Sequence, residues 1–299
     1  MSLKNWFIKQ HLKNMKDELN RLTILERRKQ FEMTLGSITS PYEALTQDVD
    51  VLPDLKARWI YDHRCSKEQV MLYFHGGGFC MGSLNSYQAT CTDIMHEVGV
   101  QMFLVDYRLA PEHPFPAGLY DCLAAYDYLL AEGYTPDNIA FVSDSAGSNI
   151  ALATALILLK RHVQLPSCIV MLSPCTLVEM YDDDCIYHDI EKKDVFLSAH
   201  FLRIWSKAYR QGVSSKDPLV SPLYANLTGL PPIYITIGTD DMLLEPARLF
   251  HMRALDYGVD ATLDVKEGCF HAHQMLHAYI PEGIEVMKNI ATFIKKNLA

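Results

Sequence analysis

Short apolar runs alternate with longer amphipathic stretches from about residue 49 to the C-terminus. Each apolar run has the length of a β-strand, and each amphipathic stretch has the length of a helix. The predicted strands are Val70–Phe74, Gln101–Asp106, Ile139–Ser143, Cys168–Leu172, Ile233–Gly238 and Ala261–Val265. The predicted helices span residues 86–98, 117–131, 146–162, 245–258 and 281–297. Because strands covered on both faces read as continuous apolar runs, the alternation predicts an α/β fold with a mostly parallel sheet.

The first sixty residues show two other patterns. Apolar and polar residues alternate over Ala57–Tyr61, which is typical of an antiparallel strand at the edge of a sheet. Within residues 1–33, six apolar side chains recur every three or four positions, as on one face of a single helix. They are Ile8, Leu12, Met15, Leu19, Leu22 and Leu25. We expect this helix to pack on the rest of the protein, and the alternative is a membrane-surface helix or a mobile lid.

The rhythm of strands and helices is interrupted between Cys175 and Asp217. An acidic patch, Asp182–Asp184, is followed there by a helix-like run from Ser198 to Tyr209. We interpret the acidic patch as a solvated loop rather than a calcium site. Trp205 lies one helical turn before Tyr209, which is more typical of packing than of substrate contact.

This insertion and the N-terminal helix together predict a small helical cap. The expected division is a cap of residues 1–45 plus 178–215, and a catalytic core of residues 46–177 plus 216–299.

Charge and composition exclude several classes of function. The 299 residues include 27 Lys and Arg against 36 Asp and Glu, a net charge of −9. A nucleic-acid-binding protein would need a concentrated basic face, so none is expected as a partner. The longest apolar run, residues 150–159, falls short of the roughly 18 residues that cross a bilayer, so we expect no stable membrane insertion.

The N-terminus does not resemble a signal peptide, and the eight cysteines are scattered without paired spacing. We therefore expect a cytoplasmic protein with reduced thiols.

The first candidate for chemistry is the pentapeptide Ser143-Asp144-Ser145-Ala146-Gly147. It follows a predicted strand and opens a predicted helix. A serine on such a sharp turn exposes its hydroxyl above the sheet, and the helix N-terminus favours developing negative charge. An ordinary capped turn remains the alternative at this point.

Three consecutive glycines follow His75, just after the strand Val70–Phe74. Glycines leave backbone N–H groups uncovered, and together with the N–H of Ala146 they would form an oxyanion hole. A phosphate-binding loop is disfavoured because no Gly-Lys-Ser/Thr follows, whereas a plain flexible turn stays open. We interpret His75 as a positioning residue rather than a base.

A base and its orienting carboxylate are expected at the ends of two later strands. Asp240 and Asp241 follow Ile233–Gly238, and His271 and His273 follow Ala261–Val265. The order Ser, Asp, His along the chain is that of α/β hydrolases. A zinc site at the two histidines is disfavoured because no third ligand is evident.

Three motifs resemble those of the hormone-sensitive-lipase-like esterases. They are HGGGF at residues 75–79, DYRLAPEHPFPA at residues 106–117, and DSAG at residues 144–147. The resemblance runs from about residue 70 to the C-terminus and implies an α/β-hydrolase fold. It also implies that Ser145 is the nucleophile, His271 the base and Asp241 its partner.

By the same resemblance, Gly76, Gly77 and Ala146 supply the oxyanion donors, and His75, Gly78 and Asp144 support them. Asp241 is preferred to Asp240 because residues 241–245 resemble the family pattern D-x-L-x-D/E. His271 is preferred to His273 because it lies three residues after Gly268, as in the family pattern G-x-x-H.

Three positions depart from the family pattern. Ser143 and Ser148 stand where the family has glycine, and His273 stands where it usually has phenylalanine. A left-handed backbone at Ser143 would be strained, because only glycine adopts it readily. His273 would place a second imidazole near the site.

The resemblance implies a serine carboxylesterase acting on small-molecule esters of short-to-medium acyl chains, with no metal or organic cofactor. An amidase or deacetylase of small N-acyl compounds would use the same residues. A hydrolase-fold binding protein without catalysis, a membrane-associated lipase and a homodimer are also left open.

Overall fold

A computed structural model describes residues 2–178, 188–277 and 279–299. The acidic patch Asp182–Asp184 lies outside the described residues. The strands are β1 (Leu45–Leu52), β2 (Leu55–Tyr61), β3 (Ser66–Phe74), β4 (Val100–Val105), β5 (Ile139–Asp144), β6 (Cys168–Leu172), β7 (Ile233–Gly238) and β8 (Ala261–Lys266). They form one eight-stranded sheet in the order β1-β2-β4-β3-β5-β6-β7-β8. The pairs from β4 to β8 are all parallel, so the predicted mostly parallel sheet is confirmed.

Helices cover both faces of this sheet. They are α1 (Leu3–Leu19), α2 (Ile24–Leu35), α3 (Leu84–Val98), α4 (Ala117–Ala131), α5 (Ser145–Lys160), α6 (His188–Lys193), α7 (Ala199–Arg210), α8 (Leu244–Asp256) and α9 (Pro281–Asn297). Helices α4, α5 and α8 pack on one face, and α3 and α9 pack on the other.

The sheet lies between two hydrophobic cores, and β3 contributes side chains to both. Side chains alternate across a strand, so Val70, Leu72 and Phe74 enter the first core while Met71 and Tyr73 enter the second. All five side chains are fully buried. The continuous apolar run in the sequence is the direct consequence of this burial on both faces.

The prediction of an edge strand at Ala57–Tyr61 was wrong in one respect. That run belongs to β2, which is antiparallel as expected but pairs with β1 on one side and β4 on the other. The edge strand on that side of the sheet is β1, whose residues are mostly exposed. Because solvent reaches most of its side chains, β1 has too few buried apolar positions to be recognised from the sequence.

The N-terminal apolar stripe spans two helices rather than the single predicted one. Helix α1 ends before Asn20, and Thr23 begins α2 with a capping box. The Thr23 hydroxyl accepts the N–H of Glu26, and the Glu26 carboxylate accepts the N–H of Thr23. This reciprocal capping satisfies two backbone donors at the start of a new helix, and so it fixes the break.

The N-terminal helices pack against α6, α7 and the segment between them. Lys16 donates from Nζ to the carbonyl oxygens of Glu191 and Asp194, at 3.0 and 2.6 Å. The guanidinium of Arg27 lies 3.9 Å from the ring centroid of Phe201 and 5.0 Å from that of Trp205. We call these two packed groups of helices the strap, defined as α1, α2 and residues 188–210.

Within the described ranges, no helix is both long and apolar enough to cross a membrane. The seven cysteines in those ranges are thiols rather than disulfides, and all but Cys65 are buried. Cys185 lies outside the described residues.

Candidate active site

Ser145 lies at the point where β5 ends and α5 begins. Its φ of +47° is in the left-handed region, which costs a residue with a side chain of order 1–3 kcal/mol. The close approach of α5 to the end of β3 constrains the backbone of this turn. A Cβ on Gly147 would lie 2.0 Å from the carbonyl oxygen of Phe74, so only glycine fits there. The sequence therefore folds into a tight strand-to-helix turn that presents the Ser145 hydroxyl above the sheet.

The two serines that replace glycines beside this turn are compatible with it. Ser143 lies in β5, in register with Met171 of β6, and its φ is not positive, so no strain arises there. Its hydroxyl lies 3.0 Å from the Val170 carbonyl oxygen and 3.0 Å from the Ser148 hydroxyl. Both serines are fully buried, and each satisfies the polar atom of the other.

Ser145, His271 and Asp241 form a continuous hydrogen-bonded series. The Nε2 atom of His271 lies 3.0 Å from Ser145 Oγ. Its Nδ1 atom lies 3.2 and 3.1 Å from the two carboxylate oxygens of Asp241. Asp241 is fully buried, and its Oδ1 also accepts the N–H of Leu243 at 2.9 Å. The three residues that the sequence singled out are thus brought together.

The loops that carry Asp241 and His271 are tied to each other by backbone contacts. The N–H of Asp240 donates to the carbonyl of Cys269 at 2.9 Å, and the N–H of Gly268 donates to the Thr239 hydroxyl at 2.8 Å. A Cβ on Gly238 would lie 2.0 Å from the carbonyl oxygen of Cys269. The ends of β7 and β8 therefore hold Asp241 and His271 in a fixed relation.

The electrostatic surroundings of His271 favour its charged form. Burial lowers the pKa of this imidazole, but the carboxylates of Asp241, Asp194 and Asp144 raise it, and the net pKa is raised. Negative charges beside an imidazole stabilise the imidazolium that forms when it accepts a proton. The arrangement suits a residue that receives a proton during a reaction.

The other candidates at these strand ends lie elsewhere. His273 is fully buried, and its Nδ1 atom lies 3.1 Å from the carbonyl of Phe270. Burial lowers the pKa of His273 to about 4, so it is neutral at physiological pH. Asp240 forms an ion pair with Lys9 of α1. Neither residue contacts Ser145.

The glycine loop after β3 corrects one expected oxyanion donor. The N–H of Gly76 donates to Asp144 Oδ1 at 2.7 Å, so this donor is already engaged and faces away from the reacting position. Gly77 and Gly78, with φ of +104° and +61°, line the same cavity as Ser145. Among the residues that the structure describes, no acceptor pairs with the N–H of Gly77, Gly78 or Ala146. The expected assignment to Gly76 was wrong because its N–H serves to anchor the loop.

Asp144 and His75 stabilise this loop through contacts in the protein interior. The Asp144 carboxylate accepts the hydroxyls of Tyr73 and Tyr87, both at 3.1 Å, besides the N–H of Gly76. Burial raises its pKa to about 6, although these hydrogen bonds oppose the shift. The His75 ring stacks on Tyr107 with 4.1 Å between centroids, and burial lowers its pKa to about 4. Both side chains act inside the protein and shape the loop.

A cavity of about 260 Å³ opens onto Ser145 and His271. The strap supplies a large share of its lining, with Leu12, Met15 and Leu19 from α1, Phe31 from α2 and Val195–Leu197 from the turn before α7. Trp205 lies against the glycine loop after β3, since a Cβ on Gly78 would come within 2.5 Å of its ring. The lining is predominantly apolar, which suits a hydrocarbon chain better than a polar ligand.

Two residues near the site were missed in the sequence. Asp194, which is 2% exposed, lies beside the Asp241 loop, and Arg27 lines the cavity. Neither has a motif around it that distinguishes it from the other charged residues of its segment. Within the described parts of the chain, no group of three or more His, Cys, Asp or Glu side chains is arranged to hold a metal ion.

Comparisons with known proteins agree with this geometry. The family model Abhydrolase_3, described as the alpha/beta hydrolase fold, matches residues 71–275. An esterase from Acinetobacter venetianus is 33% identical over 231 residues, which cover 77% of this chain and 76% of the relative. An acetyl-hydrolase from Streptomyces hygroscopicus is 29% identical over 248 residues, covering 83% and 82% of the two chains.

Solved structures extend the likeness to the whole chain. A crystal structure of an esterase from the bacterial hormone-sensitive lipase family superposes with a TM-score of 0.91 at 33% identity. The superposition covers 100% of this chain and 99% of that one. The likeness therefore includes the N-terminal strap helices, which the family model does not cover.

Proposed function

The chain belongs to the Abhydrolase_3 family of the α/β-hydrolase fold, and on that premise we propose that it is a serine carboxylesterase of short-to-medium acyl esters. Its relatives include an esterase, an acetyl-hydrolase and a carboxylesterase/phospholipase, and a similar solved structure is an esterase of the bacterial hormone-sensitive lipase family, so it is a carboxylic ester hydrolase. The proposal adds the residues and the range of substrates. One observation carries it: Ser145 Oγ lies 3.0 Å from an imidazole nitrogen whose ring is held by a buried carboxylate.

In the first step, His271 takes the proton of Ser145 as its oxygen attacks the ester carbonyl. Asp241 holds the Nδ1–H of the imidazole, so that Nε2 is the free acceptor, and it stabilises the imidazolium that forms. The tetrahedral oxyanion is bound by the N–H groups of Gly77, Gly78 and Ala146. Each such donor contributes roughly 3–4 kcal/mol to the transition state.

His271 then gives its proton to the departing alcohol, which leaves Ser145 as an acyl ester. Water enters, loses a proton to His271 and attacks the acyl carbonyl through the same oxyanion site. Collapse of the second tetrahedral species returns the proton to Ser145 and releases the carboxylic acid. Every proton in this sequence passes through one nitrogen, Nε2 of His271.

We propose that the strap, within the expected cap of residues 1–45 plus 178–215, limits the length of the acyl chain. This assignment is supported by the apolar side chains that α1, α2 and Val195–Leu197 contribute to the cavity. Each methylene that enters the cavity contributes about 0.8 kcal/mol, whereas a chain that outgrows the cavity gains nothing further and must displace the strap. Rates should therefore rise with chain length at first and then fall.

Hydrolysis of p-nitrophenyl esters from acetate to palmitate, with wild type beside Ser145→Ala, tests the proposal. We expect turnover that peaks at short-to-medium chains and falls by at least about 10⁴-fold in the variant, whose thermal unfolding should match wild type. Substantial turnover by the pure variant would contradict the nucleophile. Turnover of N-acyl analogues but not esters by wild type would contradict the ester preference.

A further inference from the structure

A second buried carboxylate lies next to the triad and comes from the strap rather than from the sheet. Asp194 follows α6, and only 2% of its surface is exposed. Burying an ionisable side chain is unfavourable unless hydrogen bonds compensate for its lost hydration. Asp194 accepts three backbone N–H groups. Those of Phe196 and Leu197 lie in its own turn, and that of Met242 lies 48 residues later in the chain.

One of these hydrogen bonds reaches the turn that carries the acid. Asp194 Oδ2 accepts the N–H of Met242 at 2.9 Å, and Met242 follows Asp241 directly. The next N–H of the turn, that of Leu243, is held by Asp241 itself at 2.9 Å. Two carboxylates therefore fix two consecutive peptide groups, and these set the direction in which the Asp241 side chain leaves the backbone.

The other two hydrogen bonds shape the wall of the cavity. Asp194 Oδ1 accepts the N–H groups of Phe196 and Leu197, both at 2.8 Å. The Phe196 ring lies 5.8 Å from the His271 ring, centroid to centroid. Asp194 thus connects the lining of the cavity, the neighbour of the base and the turn of the acid.

The charges around Asp194 are mainly those of the site itself. Asp241 and His271 face it from the ends of β7 and β8, and the ammonium group of Lys16 interacts with it from the strap. Burial raises the pKa of Asp194 to about 6, the charge of Asp241 raises it and that of His271 lowers it. At neutral pH the carboxylate is ionised and adds to the negative field that raises the pKa of His271.

We propose that Asp194 is a positioning residue of the hydrolytic site, which fixes the turn of Asp241 and adds a second carboxylate charge beside His271. The inference rests on the proposed function, because it assigns Asp194 a role through Asp241 and His271. A purely structural role, in which Asp194 only closes the turn before α7, makes a different prediction for the pH profile.

The test compares wild type, Asp194→Asn and a matched control, Glu191→Gln, in the full chain. Glu191 lies three residues earlier and also accepts a backbone N–H, that of Ala199 at 2.9 Å, but it does not touch the Asp241 turn. The readout is the pH dependence of kcat/KM on p-nitrophenyl butyrate, with folding checked by thermal unfolding. Serine-dependent turnover by wild type tests the proposed function separately.

The sign of the expected shift follows from the charge. Removing a negative charge destabilises the imidazolium, so the pKa of His271 falls and its neutral, active form persists to lower pH. In Asp194→Asn we expect the acidic limb of the pH profile of kcat/KM to shift to lower pH by about 0.5–1 unit. The value of kcat should fall about tenfold, and KM should change little. Glu191→Gln should leave both the limb and kcat at the wild-type values.

An acidic limb at the wild-type pH in folded Asp194→Asn would overturn the inference, even if kcat or stability fell. If that variant does not fold, Asp194→Glu decides, because it keeps the charge but displaces the carboxylate by one methylene. The inference then expects a wild-type limb with a lowered kcat. An unchanged kcat in Asp194→Glu would overturn the positioning role.

Discussion

The two halves of the site are built on different physical principles. The proposed oxyanion half consists of residues 74–79 and 143–148, and the proposed acid–base half consists of residues 238–243 and 266–273. Each half contains an imidazole that burial drives toward its neutral form. The pKa of His75 in the first half is lowered to about 4, whereas that of His271 in the second is raised. The difference comes from the neighbours, since carboxylates face His271 and an aromatic ring stacks on His75.

The same contrast holds for the buried carboxylates. Asp144 is surrounded by neutral donors, namely two tyrosine hydroxyls and the N–H of Gly76. Asp241 instead faces the ring of His271, the proposed base. The arrangement of the oxyanion half therefore depends on backbone conformation, and that of the acid–base half depends on the interaction of charges. Substitutions in the acid–base half should mainly lower activity, and those in the oxyanion half, other than at Ser145, should mainly lower the free energy of unfolding.

The largest effect is expected from removing the imidazole that reaches the serine. His271→Asn should lower kcat/KM by about 10⁴-fold or more, because no other base contacts Ser145 within the described residues. His273→Asn is the matched comparison, two residues away and equally buried, and it should cost less than about tenfold in kcat/KM. Kinetics of both variants on one ester check this. Equal losses would mean that the two imidazoles share the role of base.

In the oxyanion half, a single added methyl group should damage the fold itself. Gly147→Ala places a Cβ 2.0 Å from the Phe74 carbonyl oxygen, so α5 must move away from β3. We expect the free energy of unfolding to fall by about 3 kcal/mol, and activity to fall with it. Denaturant unfolding measures this. Ser148→Ala, on the next residue of the same helix, is the control that adds no volume, and similar losses in both variants would contradict the steric account.

The smallest effect is expected at the two serines that replace family glycines. Ser143→Ala and Ser148→Ala each leave the other hydroxyl with one partner fewer, at a cost of about 1 kcal/mol in unfolding free energy. The double variant should cost less than the sum of the single ones, because no orphaned partner remains. All three should keep kcat/KM within about threefold of wild type, since neither serine touches the substrate position. Strict additivity in unfolding would show that the hydroxyls are independent.

The sheet and the acid–base half could be predicted from the sequence because both depend on local signals. Strands β5, β6 and β7 are buried throughout, so each leaves a continuous apolar run. Asp241 follows β7 closely and His271 follows β8, which is only partly buried, and parallel strands bring their carboxyl ends to the same edge. Exposed β1 leaves no such signal.

The parts that the sequence did not reveal depend on contacts between distant segments. Which glycine donates to an oxyanion depends on Asp144, 68 residues away, which occupies the N–H of Gly76. The proposed role of Asp194 depends on its hydrogen bond with the N–H of Met242, 48 residues away. The spacing of residues along the chain does not predict such pairings, whereas Thr23 and Glu26 mark the break between α1 and α2 with a local capping box.

The central claim is that Ser145 forms the covalent intermediate and His271 activates it. Labelling with a fluorophosphonate, followed by intact mass and peptide mapping, tests it most directly. We expect one phosphonyl group per chain, on Ser145, formed rapidly by wild type and slowly by His271→Asn, and none on Ser145→Ala. A label on another residue, or equal labelling rates with and without the imidazole, would contradict it.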